Sequence, residues 1–244
     1  MEERQPYYMR GFGKIMDTRM YVLTKEACKV PEDGMYQALQ LGSSKNPIAG
    51  MTGDHTGDHI SEKNPQFAEL TGLYWLWKNV DCDILGICSI DRLFSKKGKL
   101  LSKADIENDL ENYDVLLAPD SHVSSGTIRE QLLKLFSKED LELFYSVLKE
   151  KEPEYEAACH WVLEGQEESV FPMLIMKKDQ YDAYCDWLFG LLFELEKRME
   201  SSSQKDSQGS RFCVLAGHLL RAWLLCQEVF VYEESMMIRA KKQG

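Results

Sequence analysis

Two short acids and two imidazoles repeat in the string TGDHTGDH, as Asp54, His55, Asp58 and His59, at the head of a segment crowded with chemistry-bearing side chains. Histidines four residues apart share a face, and hence a metal ion, only on a helix; Gly57 between them disfavours that helix. The other chemistry open to the loop is recognition. Asp58, His59 and the loop amides can hydrogen-bond a sugar or a phosphate. Asn64 and Glu69 follow, one placed either to cap a helix or to meet a ligand, the other either solvated or turned to the loop. Asp91 and Arg92 follow one apolar run and Asp120 and His122 another, the latter pair in what also reads as a surface turn. His218 lies among Leu219, Leu220, Trp223 and Leu224 and is either a base or a half-buried, satisfied side chain.

These groups need elements to hold them. Pro65 presets φ for a first helical turn, and Phe67, Leu70, Tyr74 and Trp77 then recur at spacings of three and four, so a helix is expected over 66–78 with this stripe toward a core. Trp75 and Trp77 read as core rather than as sugar platforms. Strands are expected at 19–24, 84–88, 115–118, 170–176 and 229–232, with a further apolar patch at 35–41. Helices are expected at 103–112 behind Ser102, from Ser137 and Asp140 with Leu141, Phe144, Tyr145 and Leu148 on one face, at 153–163, at 180–199 and at 211–227. The string SSSQKDSQGS at 201–210 reads as a mobile linker. Alternating strands and helices imply an α/β protein with an open, mostly parallel sheet flanked by helices, and ligands at the carboxyl ends of the strands. Residues 1–18 are expected to form a flexible arm, and 19–244 a single domain with a helical C-terminal part.

Composition bounds the function. A chain of 244 residues with 44% apolar content buries one substantial core. A formal charge of −11 lacks the basic footprint that nucleic acid requires, whereas a sugar nucleotide needs only a few local cations. Seven scattered cysteines without a CxxC pair suit a reduced compartment. With no secretory pattern at the start and no long apolar run, the expected location is cytoplasmic, at most peripheral to the inner face of the cell membrane. There is no G-x-S-x-G elbow and no P-loop, so a hydrolase on this scaffold has little support.

The loop, the phrase SEKNPQFAELTGLYWLWKN and the strand after it resemble a bacterial family of capsular and exopolysaccharide glycosyltransferases catalogued as domain of unknown function 4422. The similarity extends through KVPEDGMY, PEYEAA and LIMKKDQYDAYCDWLFGLLFELEKR to the helix around Trp223. The resemblance implies a GT-A-like fold and transfer of a sugar, from a UDP-sugar donor, to a glycan acceptor that is lipid-linked in one version of the reading. It implies a donor site at Thr24, Lys25, Asp58, His59, Asn64 and Glu69, and an acceptor side at Asp120 and His122. In ILGICSIDRLF the place of a metal-binding Asp-x-Asp is taken by Ser89, Ile90 and Asp91, so Asp91 either holds Mn2+ or Mg2+ or simply pairs with Arg92 or a nearby Lys, and without a metal it is Arg92 that serves the diphosphate. The chain also departs from the family. A His-Tyr-Arg-Arg-like sequence survives only as Arg92, an Asn before LIMKK is replaced by Phe171 and Pro172, and a Ser-Glu-Arg by Ala216, Gly217 and His218, which leaves His218 as the substitute base. The alternative is a catalytically degenerate relative that binds a nucleotide sugar, a glycan or a partner protein.

Overall fold

The computed structural model describes residues 15–200 and 210–238. Strands are β1 (Thr18–Thr24), β2 (Tyr36–Gln40), β3 (Thr52–Gly53), β4 (Ile84–Ser89), β5 (Arg92–Lys96), β6 (Lys99–Leu100), β7 (Val115–Leu117), β8 (Ser121–His122), β9 (Glu167–Glu168), β10 (Leu174–Lys177), β11 (Val231–Glu233) and β12 (Met236–Ile238). Helices are α1 (Asn64–Phe67), α2 (Leu70–Asn79), α3 (Lys103–Asp109), α4 (Ile128–Leu132), α5 (Lys138–Lys151), α6 (Glu156–Leu163), α7 (Lys178–Glu200) and α8 (Arg211–Cys226).

The main sheet runs β11-β7-β10-β4-β1-β2-β3. β1 and β4 are apolar and buried on both faces, as central parallel strands must be. β1 pairs in parallel with β2 and β4, and β2 with β3. β10 enters between β4 and β7 antiparallel to both, so the sheet is mixed but mostly parallel. Alternation divides the side chains. Tyr21, Leu23, Leu85, Ile87, Leu174 and Met176 join the core under α2 and α5 to α8. Met20, Val22, Ile84, Cys88 and Ile175 face a smaller core with Leu93, Phe94 and Ile106. The first is fixed by long apolar helices: Tyr181 of α7 is fully buried and its hydroxyl donates to the Leu73 carbonyl of α2 at 2.8 Å.

The direction of β10 sets the site. Leu23 pairs with Ser89, Leu174 with Ile87, and Leu174 with Leu117. The carboxyl ends of β1, β4 and β7 and the segment entering β10 therefore lie at one end of the sheet, where open α/β folds bind ligands.

Several expectations are corrected. The helix expected at 66–78 is two helices: α1 stops at Ala68, whose φ of 47° and ψ of −121° break the spiral, and α2 restarts at Leu70. Asn64 Nδ2 holds the break by donating to the Ala68 carbonyl at 2.8 Å and to Thr71 Oγ1 at 3.0 Å. The strand expected at 170–176 begins only at Leu174, and the closing strand is Val231–Glu233. The short hairpin strands β5, β6, β8, β9 and β12 were not anticipated. The predicted caps at Ser102 and Ser137 are present as reciprocal capping boxes with Asp105 and Asp140. The expected arm lies outside the described residues at 1–14, as does the expected linker at 201–209; Asp17 is already tied to the sheet end, its amide donating to Asp83 Oδ2 at 2.8 Å.

Candidate functional site at the carboxyl end of the sheet

The polar loop is built around Asp54, which is fully buried. Oδ2 accepts from the Gly42 amide at 2.8 Å and from Thr71 Oγ1 at 2.6 Å. Oδ1 accepts from the Ser43 amide at 3.0 Å, Ser43 Oγ at 2.8 Å and Ser61 Oγ at 2.5 Å. Burial pushes this carboxyl up, but the hydroxyl and amide donors outweigh it and the net direction is down. Gly42 is required here: its φ is 61°, and a Cβ would lie 2.8 Å from the Asn64 amide. One carboxylate thus ties the loop after β2, the turn before α1 and the first turn of α2 into a single body.

This anchoring distributes the sequence-predicted residues. Beyond Asp54 the chain follows α2: Trp75 Nε1 donates to the Thr56 carbonyl at 2.8 Å, and the Asp58 amide to Asn79 Oδ1 at 3.1 Å. Asp58 also accepts from Tyr74 Oη at 3.1 Å. Asp58 sits by the last turn of α2 while Glu69 precedes its first, about 15 Å of helix away, so the two are not brought together. His55 Nδ1 lies 2.7 Å from Ser43 Oγ and His59 Nδ1 3.4 Å from Glu62 Oε2, so the two rings engage different partners. The Asn64 amide is committed to the break at Ala68. Trp77 stacks on Phe189 at 5.8 Å, and Trp75 is buried, both as core.

At the strand ends, Thr24 closes a tight turn with the Glu26 backbone, and Lys25 beside it is exposed. Asp91 and Arg92 sit where β4 folds back as β5. Asp91 Oδ1 accepts from Ser89 Oγ at 2.7 Å, and Oδ2 lies 3.9 Å from Arg92 Nε. As a resident divalent site this set does not fit: one carboxylate is already engaged by a hydroxyl beside a guanidinium, and among the described residues no three His, Cys, Asp or Glu groups converge on an ion.

The segments around Phe171 and Gly217 come together here. Phe171, just before β10, lies against Gly217 of α8, where a Cβ would stand 3.1 Å from Phe171 Cβ. With Ser169, Cys213 and His218 they line a cavity of about 150 Å³. His218 is 4% exposed, and its Nδ1 is buried without a hydrogen-bond partner. Burial, with a smaller contribution from the Arg221 charge, pushes the imidazole down to about 4, so it is neutral at physiological pH. Glu69 reaches this neighbourhood from the other side, accepting from Cys213 Sγ at 3.1 Å. Burial first, and that carboxylate second, push the Cys213 thiol well up, so it remains protonated.

The match to a family model described as a domain of unknown function (DUF4422) spans residues 19–228. The chain belongs to this DUF4422 family. A solved structure titled as the apo form of WbbM, a bifunctional glycosyltransferase, superposes with a TM-score of 0.79 at 20% identity over 92% of this chain and 46% of that one. This chain therefore spans about half the length of that neighbour, and the likeness establishes a shared fold. No curated protein matches.

In this DUF4422 domain the sequence reading named Asp120 but missed its partners at the sheet end. Arg221, one turn after His218 on α8, is ion-paired with both Asp120 after β7 and Glu167 of β9. Burial pushes the Asp120 carboxyl up against the opposing pull of Arg221. His122 lies exposed on β8, which pairs with β9. Nothing in the spacing of Asp120, Glu167 and Arg221 signals the cluster, because a hairpin and a helix distant in sequence deliver its members. An Arg in the middle of an otherwise apolar helix, Arg221 of α8, was the available hint. Among the described residues, no helix is long and apolar enough to cross a membrane.

Proposed function

We propose that this domain is a glycosyltransferase that moves a sugar from a nucleotide diphosphate donor, a UDP-sugar, to a glycan acceptor in polysaccharide assembly. The observation that carries the reading is the set of groups delivered to the carboxyl end of the sheet: Arg92 where β4 folds back as β5, the buried, neutral His218 lining a cavity beside α8, and Asp120 and Glu167 paired with Arg221. Thr24 and Lys25 at the end of β1 would meet the nucleotide. Arg92 would take the diphosphate by charge-assisted hydrogen bonds as the sugar's anomeric carbon becomes cationic and its bond to phosphate oxygen breaks. His218, uncharged and with Nδ1 unpartnered, would accept the proton of the attacking hydroxyl, Phe171 excluding water from that cavity.

A second reading has its own support. Phe171 packed on Gly217 stands where the resembling family has polar residues, and Asp91 bonded by Ser89 stands in place of that family's basic sequence, which favours a domain that binds a donor or glycan without turning it over. Thermal shift with UDP, with and without Mn2+, followed by a donor-hydrolysis assay, separates the readings. A shift with turnover supports transfer; a shift without turnover across several donors supports the binder; no shift with any nucleotide refutes both donor-binding readings.

A further inference from the structure

A second depression, of about 270 Å³, adjoins the His218 cavity and is lined by Trp161, His122, Gln166, Glu167 and Arg221. We infer that it is a saccharide subsite in which Trp161 is the stacking platform for one pyranose ring of the acceptor, a role that rests on the transferase reading only for the word acceptor.

Trp161 stands on α6 with Val162 and Cys159 buried beside it in the core, yet is itself 62% exposed. Tryptophan is amphipathic and is placed at wet recognition surfaces when one face has to meet an apolar partner. A pyranose offers that partner in the C–H face of its ring. Beside the indole and Val162, planar polar side chains complete the lining. The Arg221 guanidinium donates, the Glu167 carboxylate accepts, and the His122 imidazole can do either, so hydroxyls pointing outward from a ring find both kinds of partner. The neighbouring carboxylates Asp120 and Glu167 disfavour a phosphate, which argues against a nucleotide or an anionic headgroup. The volume lies below the usual range for drug-sized ligands and suits one ring rather than a nucleotide.

Continuity gives the depression its direction. Glu167 lines this pocket and Glu168 the His218 cavity; Arg221 lines this one and His218, one helical turn earlier, the other. A chain with one unit on Trp161 would extend its next unit along α8 toward His218.

The test uses the full chain and its indole N–H resonances. The Trp161 signal is assigned through Trp161→Phe, and the protein is titrated with methyl pyranosides and disaccharides of glucose, galactose, N-acetylglucosamine and rhamnose. At least one should move the Trp161 indole and the Gln166 and Glu167 amides saturably. Trp161→Ala should weaken that binding roughly tenfold or more, Trp161→Phe should retain most of it, and neither should alter the UDP thermal shift or the melting temperature. If no saccharide moves the Trp161 indole, or if binding survives unchanged in Trp161→Ala, the inference is wrong, as it would be for a surface that holds a protein partner. UDP binding without saccharide binding leaves the transferase reading standing and overturns the subsite; saccharide binding at Trp161 without UDP binding does the reverse.

Discussion

Replacing Asp54 by Asn tests whether one buried carboxylate holds the loop together. The substitution keeps size and shape but turns one acceptor oxygen into a donor amide. Facing Oδ1 there are three donors, from Ser43 and Ser61, and facing Oδ2 two, from Gly42 and Thr71. The new amide should therefore take the Oδ2 side. Thr71 can turn its hydroxyl to the Ala68 carbonyl, 3.1 Å away, but the Gly42 N–H is left unpaired. An orphaned buried donor costs ~1–3 kcal/mol, and three bonds lose their charge assistance at up to ~1 kcal/mol each, offset in part by relief of carboxylate desolvation. A net loss of about 3 kcal/mol is expected, a large share of a domain's stability. The sign agrees with titration. Because folding depresses the Asp54 value below its ordinary 3.8, its stabilisation is fully present above that value and is lost as pH falls through the lower folded one. Urea denaturation at neutral pH and across the acid range measures both effects. A loss under about 1 kcal/mol, or an unchanged acid dependence in the variant, would refute the anchor.

Other expectations follow from single features. Ala68→Gly should raise stability by about 1 kcal/mol, because φ 47° and ψ −121° are open to glycine and strained for alanine; a lower denaturation midpoint would argue against strain. His218 should stay neutral from pH 8 to well below 6.5 in an NMR titration. Since its value falls from 6.5 to about 4 on folding, the unfolded chain binds the proton first. Stability attributable to His218 should thus decline as pH drops from 6.5 to 4, by about 3 kcal/mol at the limit, a decline that His218→Leu abolishes. Arg92→Ala should reduce the UDP-induced thermal shift by more than half without changing the melting temperature of the free protein, given that its side chain is 43% exposed; an unchanged shift would remove Arg92 from the diphosphate site.

Much of the scaffold could be read from residue order because burial leaves a strong pattern. β1 and β4 are apolar on both faces, α7 and α8 carry long apolar stripes, and Ser102 and Ser137 announce helix starts through acids three residues on. The reversal of β10 was not legible, since a strand buried on both faces reads alike in either direction. The break at Ala68 was hidden because Phe67, Leu70, Tyr74 and Trp77 keep helical spacing across it; only the Asn64 amide reveals why the chain tolerates the bend. At the site, the residues of the loop were conspicuous by type but turn mostly inward or along α2. Arg92, Asp120 and the α8 pair His218 and Arg221 come from three separate places in the chain, and their arrival at one end of the sheet depends on register rather than spacing.

The insertion of β10 between β4 and β7 bears on how the chain folds during synthesis. β4 and β7 are not neighbours; each meets the other half of the sheet only through β10, which leaves the ribosome long after both. Until then β1 to β4 can assemble locally, but β4 and β7 each present an unpaired, apolar flank, the kind of surface that recruits other chains. Folding should therefore be gated by a late, high-contact-order step, and nascent chains arrested before Leu174 should depend on chaperones that chains carrying α7 and α8 no longer need.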